Sequence, residues 1–125
     1  MDKLNYYQSI IKKILTEYAE ISSQVPDQDI EKILIFDNNR NQYLWFNISW
    51  KNGKQIKAIS VYLRLKNDKI YIEEDWTEAG IATELMRVGI PSSEIVLAFQ
   101  PPEVRQFTEF AIAQQLFFTF SSDEE

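Results

Sequence analysis

Apolar residues follow two different spacings along this chain, and the change from one to the other sets the order of its elements. From Lys3 to about Glu20, the residues Leu4, Tyr7, Ile11, Ile14, Leu15 and Tyr18 recur at helical steps, with Tyr6 and Ile10 widening the stripe. This predicts an amphipathic helix capped by Asp2, with a face broad enough to pack on a sheet and to serve a subunit contact as the alternative. Ile21 to Asp29, with Pro26, reads as a loop. From Lys32 the period becomes two. Asn52-Gly53 is a type I′ hairpin pair, and as a two-residue loop it sets Phe46 opposite Ile59 and Leu44 opposite Val61 on one face, with Tyr43 opposite Tyr62 on the other. Asn67-Asp68 as the next loop sets Leu65 against Ile70 and Leu63 against Ile72 on that same first face. A strand from Lys32 to Asp37 joins through Asn38 to Asn41, bringing Ile35 near Leu44 and Ile33 near Phe46. The product is a four-stranded antiparallel meander whose first face is covered by helices.

The other face of that meander carries Tyr43, Trp45, Tyr62 and Tyr71, with Leu34 and Phe36, which is more aromatic surface than a solvated face requires. A second helix, a protein partner or stacked single-stranded nucleic acid would each cover it. Covering by protein, from this chain or another, is the expectation.

The segment from Asp75 to Ala111 then crowds caps, prolines and reversals together. Asp75 or Thr77 can cap a helix starting near Glu78, with Ile81, Leu85 and Val88, supported by Ala82, as its apolar stripe. Gly89 supplies a left-handed C′ residue, Ile90 folds back toward Leu85, and Pro91 blocks continuation. Ile95 to Phe99 is short and uniformly apolar and reads as a buried strand. Pro101 and Pro102 end it, and Pro102 opens a helical turn through Val104 and Arg105. Thr108 to Leu116 continues as helix. Leu116, Phe117, Phe118 and Phe120 form an apolar patch before an acidic end, either an association surface or part of the core, and Ser121 to Glu125 is expected to be disordered. The fold class is α+β, with a domain over residues 1–113 and a C-terminal extension over 114–125.

Composition narrows the chemistry. With 125 residues the chain suits one domain, and with neither cysteine nor histidine it lacks thiol catalysis, thiolate metal sites and the usual general base. No apolar run reaches the ~20 residues of a membrane span, and the start lacks a signal-peptide layout, so a cytoplasmic protein is expected. A net charge of −6 argues against a broad DNA-binding face. Lys51, Lys54 and Lys57 flank the hairpin turn, where they read as solubility and edge protection.

Glu73, Glu74, Asp75 and Glu78 cluster, but capping already accounts for Asp75 and Glu78. There is no phosphate-binding glycine loop, no serine elbow and no nuclease-type acidic triplet on a strand. No catalytic residue, metal or cofactor is expected. Arg105 reads as one half of a structural ion pair. A competing class is an enzyme or small-molecule binder with a pocket near Asp75, Trp76, Gln100 and Arg105.

The strings MDKLNYYQSIIKKILTEYAEI, LIFD, RNQYLWFNISW and DWTEAGIATELMRVGIPSSEIVLAFQPPEVRQFTEFAIA resemble the XisI family, the fdxN element excision controlling factor proteins found mainly in cyanobacteria. The resemblance runs from Met1 to about Ala113. It implies an accessory, non-enzymatic role in site-specific DNA excision with an XisH-like protein as partner, and a homo-oligomeric state is expected beside it. The family's usual DGTE is here Asp75, Trp76, Thr77 and Glu78. Its usual FHPP is Phe99, Gln100, Pro101 and Pro102, and Ser49 replaces a glycine before the strand tryptophan. Without that histidine no metal or acid–base role carries over, whereas retention of Pro101, Pro102, Glu103 and Arg105 fits a structural or partner-docking role.

Overall fold

The α+β architecture is built from helix α1 (Lys3–Ser22), strands β1 (Ile30–Asp37), β2 (Gln42–Lys51), β3 (Lys54–Lys66) and β4 (Lys69–Asp75), helix α2 (Ile81–Arg87), a 3₁₀ turn (Ser92–Glu94), strand β5 (Ile95–Leu97) and helix α3 (Pro102–Arg105). The computed structural model describes residues 2–22, 30–105 and 110, without the side chains of Ser22, Pro102 and Arg105. The expectations for residues 23–29, for a helix from Thr108 and for the Leu116 to Phe120 patch lie outside the described residues. Among the described residues no helix is long and apolar enough to cross a membrane.

The sheet has the order β1-β2-β3-β4-β5, one strand more than the expected meander. β5 adds to β4 in parallel, pairing Ile70 with Ile95 and Ile72 with Leu97, and α2 is the crossover that a parallel pair needs. Both tight turns form as expected. Asn52 and Gly53 have φ of 52° and 78°, and Asn67 and Asp68 have 52° and 60°, the left-handed pairs that match strand twist.

The register differs from the expectation beyond one point. Phe46 faces Ile59 as expected, but β3 then holds an extra residue, Ser60, so Leu44 faces Tyr62 rather than Val61 and Tyr43 faces Leu63 rather than Tyr62. A bulge of one residue moves every following side chain to the other face. Tyr43 and Trp45 therefore join Val61, Leu63 and Leu65 under α1, with Leu34 and Phe36 beside them. Tyr43, Val61 and Leu63 are fully buried, and Trp45 is 6% exposed. The face expected to be covered by protein, from this chain or another, is covered by this chain's own α1 and forms the core.

α1 covers that face with Tyr7, Ile11, Ile14, Leu15 and Ala19, all buried, while Leu4 and Tyr6 stay exposed. Each fully buried aliphatic side chain contributes roughly 1.5–3 kcal/mol. The helix is located by Gln8, whose amide donates to Asn41 Oδ1 (2.9 Å) and to the Asn38 carbonyl (3.2 Å) in the β1–β2 turn. That turn is closed by Asp37, which accepts the backbone N–H groups of Asn39 and Arg40 and pairs with the Arg40 guanidinium.

Toward the β5 edge of the sheet, Lys3 Nζ lies 2.8 Å from Glu94 Oε2, and the Tyr7 hydroxyl donates to Glu94 Oε1. The hydrogen bond from Lys3, reinforced by Tyr7, holds the Glu94 carboxyl below its ordinary range, and burial pushes the Tyr7 hydroxyl up. A depressed carboxylate stabilises the fold above its unfolded pKa of about 4.3, and that stability is lost as pH falls through the folded value. Glu94→Gln is thus expected to flatten the acid limb of stability below about pH 5, read by urea midpoints at several pH values.

Candidate functional site

A second bulge organises the segment that joins the sheet to α2. Glu73 is the extra residue on β4, so Asp75 pairs with Val61 and turns to the helix side. Its Oδ1 accepts from Thr77 N (2.9 Å) and Thr77 Oγ1 (2.6 Å), and its Oδ2 accepts from Ile81 N (2.7 Å). Thr77 Oγ1 in turn accepts from Gly80 N at 3.2 Å. Asp75 does act on the helix start, but α2 begins at Ile81 rather than near Glu78, because Gly80, at φ 90°, inserts a further turn that a side chain would strain. Asp75→Ala leaves these donors unmet and is expected to cost about 2 kcal/mol, a fall of roughly 6–10 °C in melting midpoint by differential scanning calorimetry.

The far end of α2 follows the expected cap. Ile90 N donates to Leu85 O (3.1 Å) and Gly89 N to Met86 O (3.0 Å), with Gly89 at φ 104°. Val88, expected in the apolar stripe, is 39% exposed, since the helix has ended and the chain is turning back; Ile81 and Leu85 carry the packing.

Of the residues expected to share a pocket, Asp75 and Trp76 are directed to different surroundings. Asp75 faces α2, whereas Trp76 is 75% exposed and lies along β3, its N–H bonded to Ser60 O (2.8 Å) and its indole N–H to Glu74 Oε2 (2.7 Å). Lys57, Ala58, Ile59, Ser60, Glu74 and Trp76 line a groove of about 500 Å³ there. Thr77 and Glu78 line a separate groove of about 450 Å³ with Tyr18, Ile21, Trp45 and Ala79. Gln100 N closes a turn onto Leu97 O (3.0 Å), and Pro101 O accepts from Val104 N (2.9 Å) to start α3, which contains Glu103. Among the described residues no group of three His, Cys, Asp or Glu side chains could hold a metal ion.

The bulges also define a surface that, apart from Tyr62, sequence reasoning assigned to the interior. On the sheet face opposite α1, the register brings together Ile33, Ile35, Leu44, Phe46, Ile59 and Tyr62. Ile35 is 48% and Ile59 36% exposed, and Trp50, two residues beyond Ile48 on the same face, is 55% exposed. Tyr62 is half-buried and its hydroxyl donates to Gln42 Oε1. Toward β5 this outer face is closed: Tyr71 and Val96 are 3% and 0% exposed, Lys66 Nζ stands 5.0 Å from the Tyr71 ring, and Arg64 pairs with Glu73 at 3.2 Å. Of the four expected interface aromatics on the sheet, Tyr43 and Trp45 lie in the core, Tyr71 is buried on the outer face, and Tyr62 borders the open part.

This helix-on-sheet arrangement recurs in solved proteins. A crystal structure of fdxN element excision controlling factor XisI from Anabaena variabilis ATCC 29413 is 42% identical, with a TM-score of 0.79 over 90% of this chain and 100% of that one. A XisI-like protein from the same organism is 39% identical, also with a TM-score of 0.79, over 88% of this chain and 99% of that one. No curated protein matches the chain. The family model described as XisI protein matches residues 1–112. With the ordered motifs, the sheet and its α2 crossover all falling inside that span, the chain belongs to the XisI family.

Proposed function

We propose that the chain is a non-catalytic accessory factor in site-specific DNA excision that works by binding protein, with an XisH-like protein as its partner. The observation that supports this reading is the outer sheet face. Ile35, Trp50 and Ile59 are all more than a third exposed beside half-buried Ile33, Leu44, Phe46 and Ile48, a contiguous apolar surface of the kind that marks protein association. A net charge of −6 supports a protein partner over DNA. Co-expression with the XisH-like protein, followed by size-exclusion chromatography with light scattering, tests it and also reads whether the chain self-associates. A stable mixed complex is expected. Recovery of the chain without the partner, or nuclease activity in a clean preparation of the chain alone, would overturn the reading.

A further inference from the structure

β3 outruns β4. Its ladder with β4 begins at Val61, and the bond from Trp76 N to Ser60 O is the last before β4 leaves the sheet. From Lys54 to Ile59, β3 pairs with β2 on one side and, among the described residues, with nothing on the other. Lys51 and Lys54 close the two-residue turn as a hydrogen-bonded pair, so the alternation of the ladder directs the backbone of Gln55, Lys57 and Ile59 to the open edge. Ile56 is 41% exposed there, and the Trp76 groove continues the position that β4 vacates.

Lysine on an edge ordinarily discourages pairing. That accounts for Lys54 and Lys57 but not for Ile56, Ile59, Trp50 and Trp76 exposed around them. Charge marks the same place. Residues 38–67 contain six Lys or Arg and no Asp or Glu, leaving seven basic against nineteen acidic residues elsewhere, a net of −12. The hairpin is a basic island on an acidic protein.

We infer that the open edge of β3 from Lys54 to Ile59 receives an extended acidic segment of a protein partner as an added strand, its apolar residues meeting Ile56, Ile59 and Trp76 and its carboxylates meeting Lys54 and Lys57. This rests on the protein-binding reading above and names the chemistry of the partner.

The probe is a labelled short peptide repeating glutamate, threonine and valine, because Lys54 and Ile56 lie on one face of β3 and Lys57 and Ile59 on the other. It is titrated into the full chain and followed by fluorescence anisotropy and amide chemical shifts. Binding is expected to perturb Gln55 to Ile59 and Trp76, and to weaken at least tenfold in Lys57→Pro, which removes an outward N–H that β2 does not use, and in the double variant Lys54→Glu with Lys57→Glu. Melting curves check that each variant remains folded. No binding, equal binding by the folded variants, or perturbation centred elsewhere would overturn the inference. So would tighter binding of single-stranded DNA at this edge, or a homodimer that Lys57→Pro dissolves. A mixed complex with the XisH-like protein that survives Lys57→Pro would remove the edge and leave the proposed function standing. Edge-specific peptide binding without any such complex would do the reverse.

Discussion

Replacing Tyr43 with alanine is expected to cost about 4 kcal/mol, a large share of the roughly 5–15 kcal/mol that holds a domain of this size. Tyr43 has no exposed surface, its hydroxyl donates to Asn38 Oδ1 at 2.8 Å, and its ring lies 6.0 Å from that of Phe36 at a tilt of 46°. Truncation opens a cavity under α1 between Phe36 and Leu63 and leaves Asn38 without a donor. Tyr43→Phe keeps the packing and removes only the hydroxyl, so about 1 kcal/mol is expected for it. Urea denaturation of the two variants checks both values. A solvated aromatic at this position would instead give a change within about 0.5 kcal/mol for the alanine variant. The experiment therefore tests the bulge at Ser60, which decides whether Tyr43 faces helix or solvent.

Ile35→Glu is expected to leave the fold nearly intact and to weaken the complex with an XisH-like partner at least thirtyfold, about 2 kcal/mol. Ile35 is 48% exposed on the edge strand β1, next to Leu44 on the outer face, so a carboxylate there remains solvated in the free chain. In a protein interface it would be desolvated without a partner. Leu4→Glu provides the contrast. Leu4 is 39% exposed on α1, on the opposite side of the sheet, and an acid in the first turn of a helix suits the macrodipole. Isothermal titration with each variant is expected to show the loss for Ile35→Glu alone.

Much of the fold was legible because its signals were local. The α1 stripe, the Asn52-Gly53 and Asn67-Asp68 turns and the Gly89-Ile90 reversal each depend on a few adjacent residues, and each formed. The pairings Phe46 with Ile59, Leu65 with Ile70 and Leu63 with Ile72 followed from the turns alone. The faces did not, because each hinged on one extra residue. Ser60 and Glu73 have no composition that demands a bulge, yet the first exchanges Leu44 and Phe46 for Tyr43 and Trp45 under α1, and the second turns Asp75 toward α2. One signal was present in the strand itself. Ile56 and Ala58 share one parity while Val61, Leu63 and Leu65 share the other, a break in period that spans the inserted Ser60.

The candidate site was legible in part for the same reason. Asp75 as a helix-capping residue and Pro102 as the opening of α3 came from spacing, whereas the exposure of Trp76 and the outer-face position of Ile35 and Trp50 came from register and strand length. The addition of β5 beside β4 was not readable, since three apolar residues carry no sign of which edge they join.

Carbene footprinting of the chain alone and in its complex with an XisH-like protein tests the central claim most directly. Labelling is predicted to fall at Ile35, Phe46 and Trp50 on the outer face and to stay unchanged at Leu4 and Tyr6 on α1. Protection of Leu4 and Tyr6 with Ile35 and Trp50 still labelled would contradict the account.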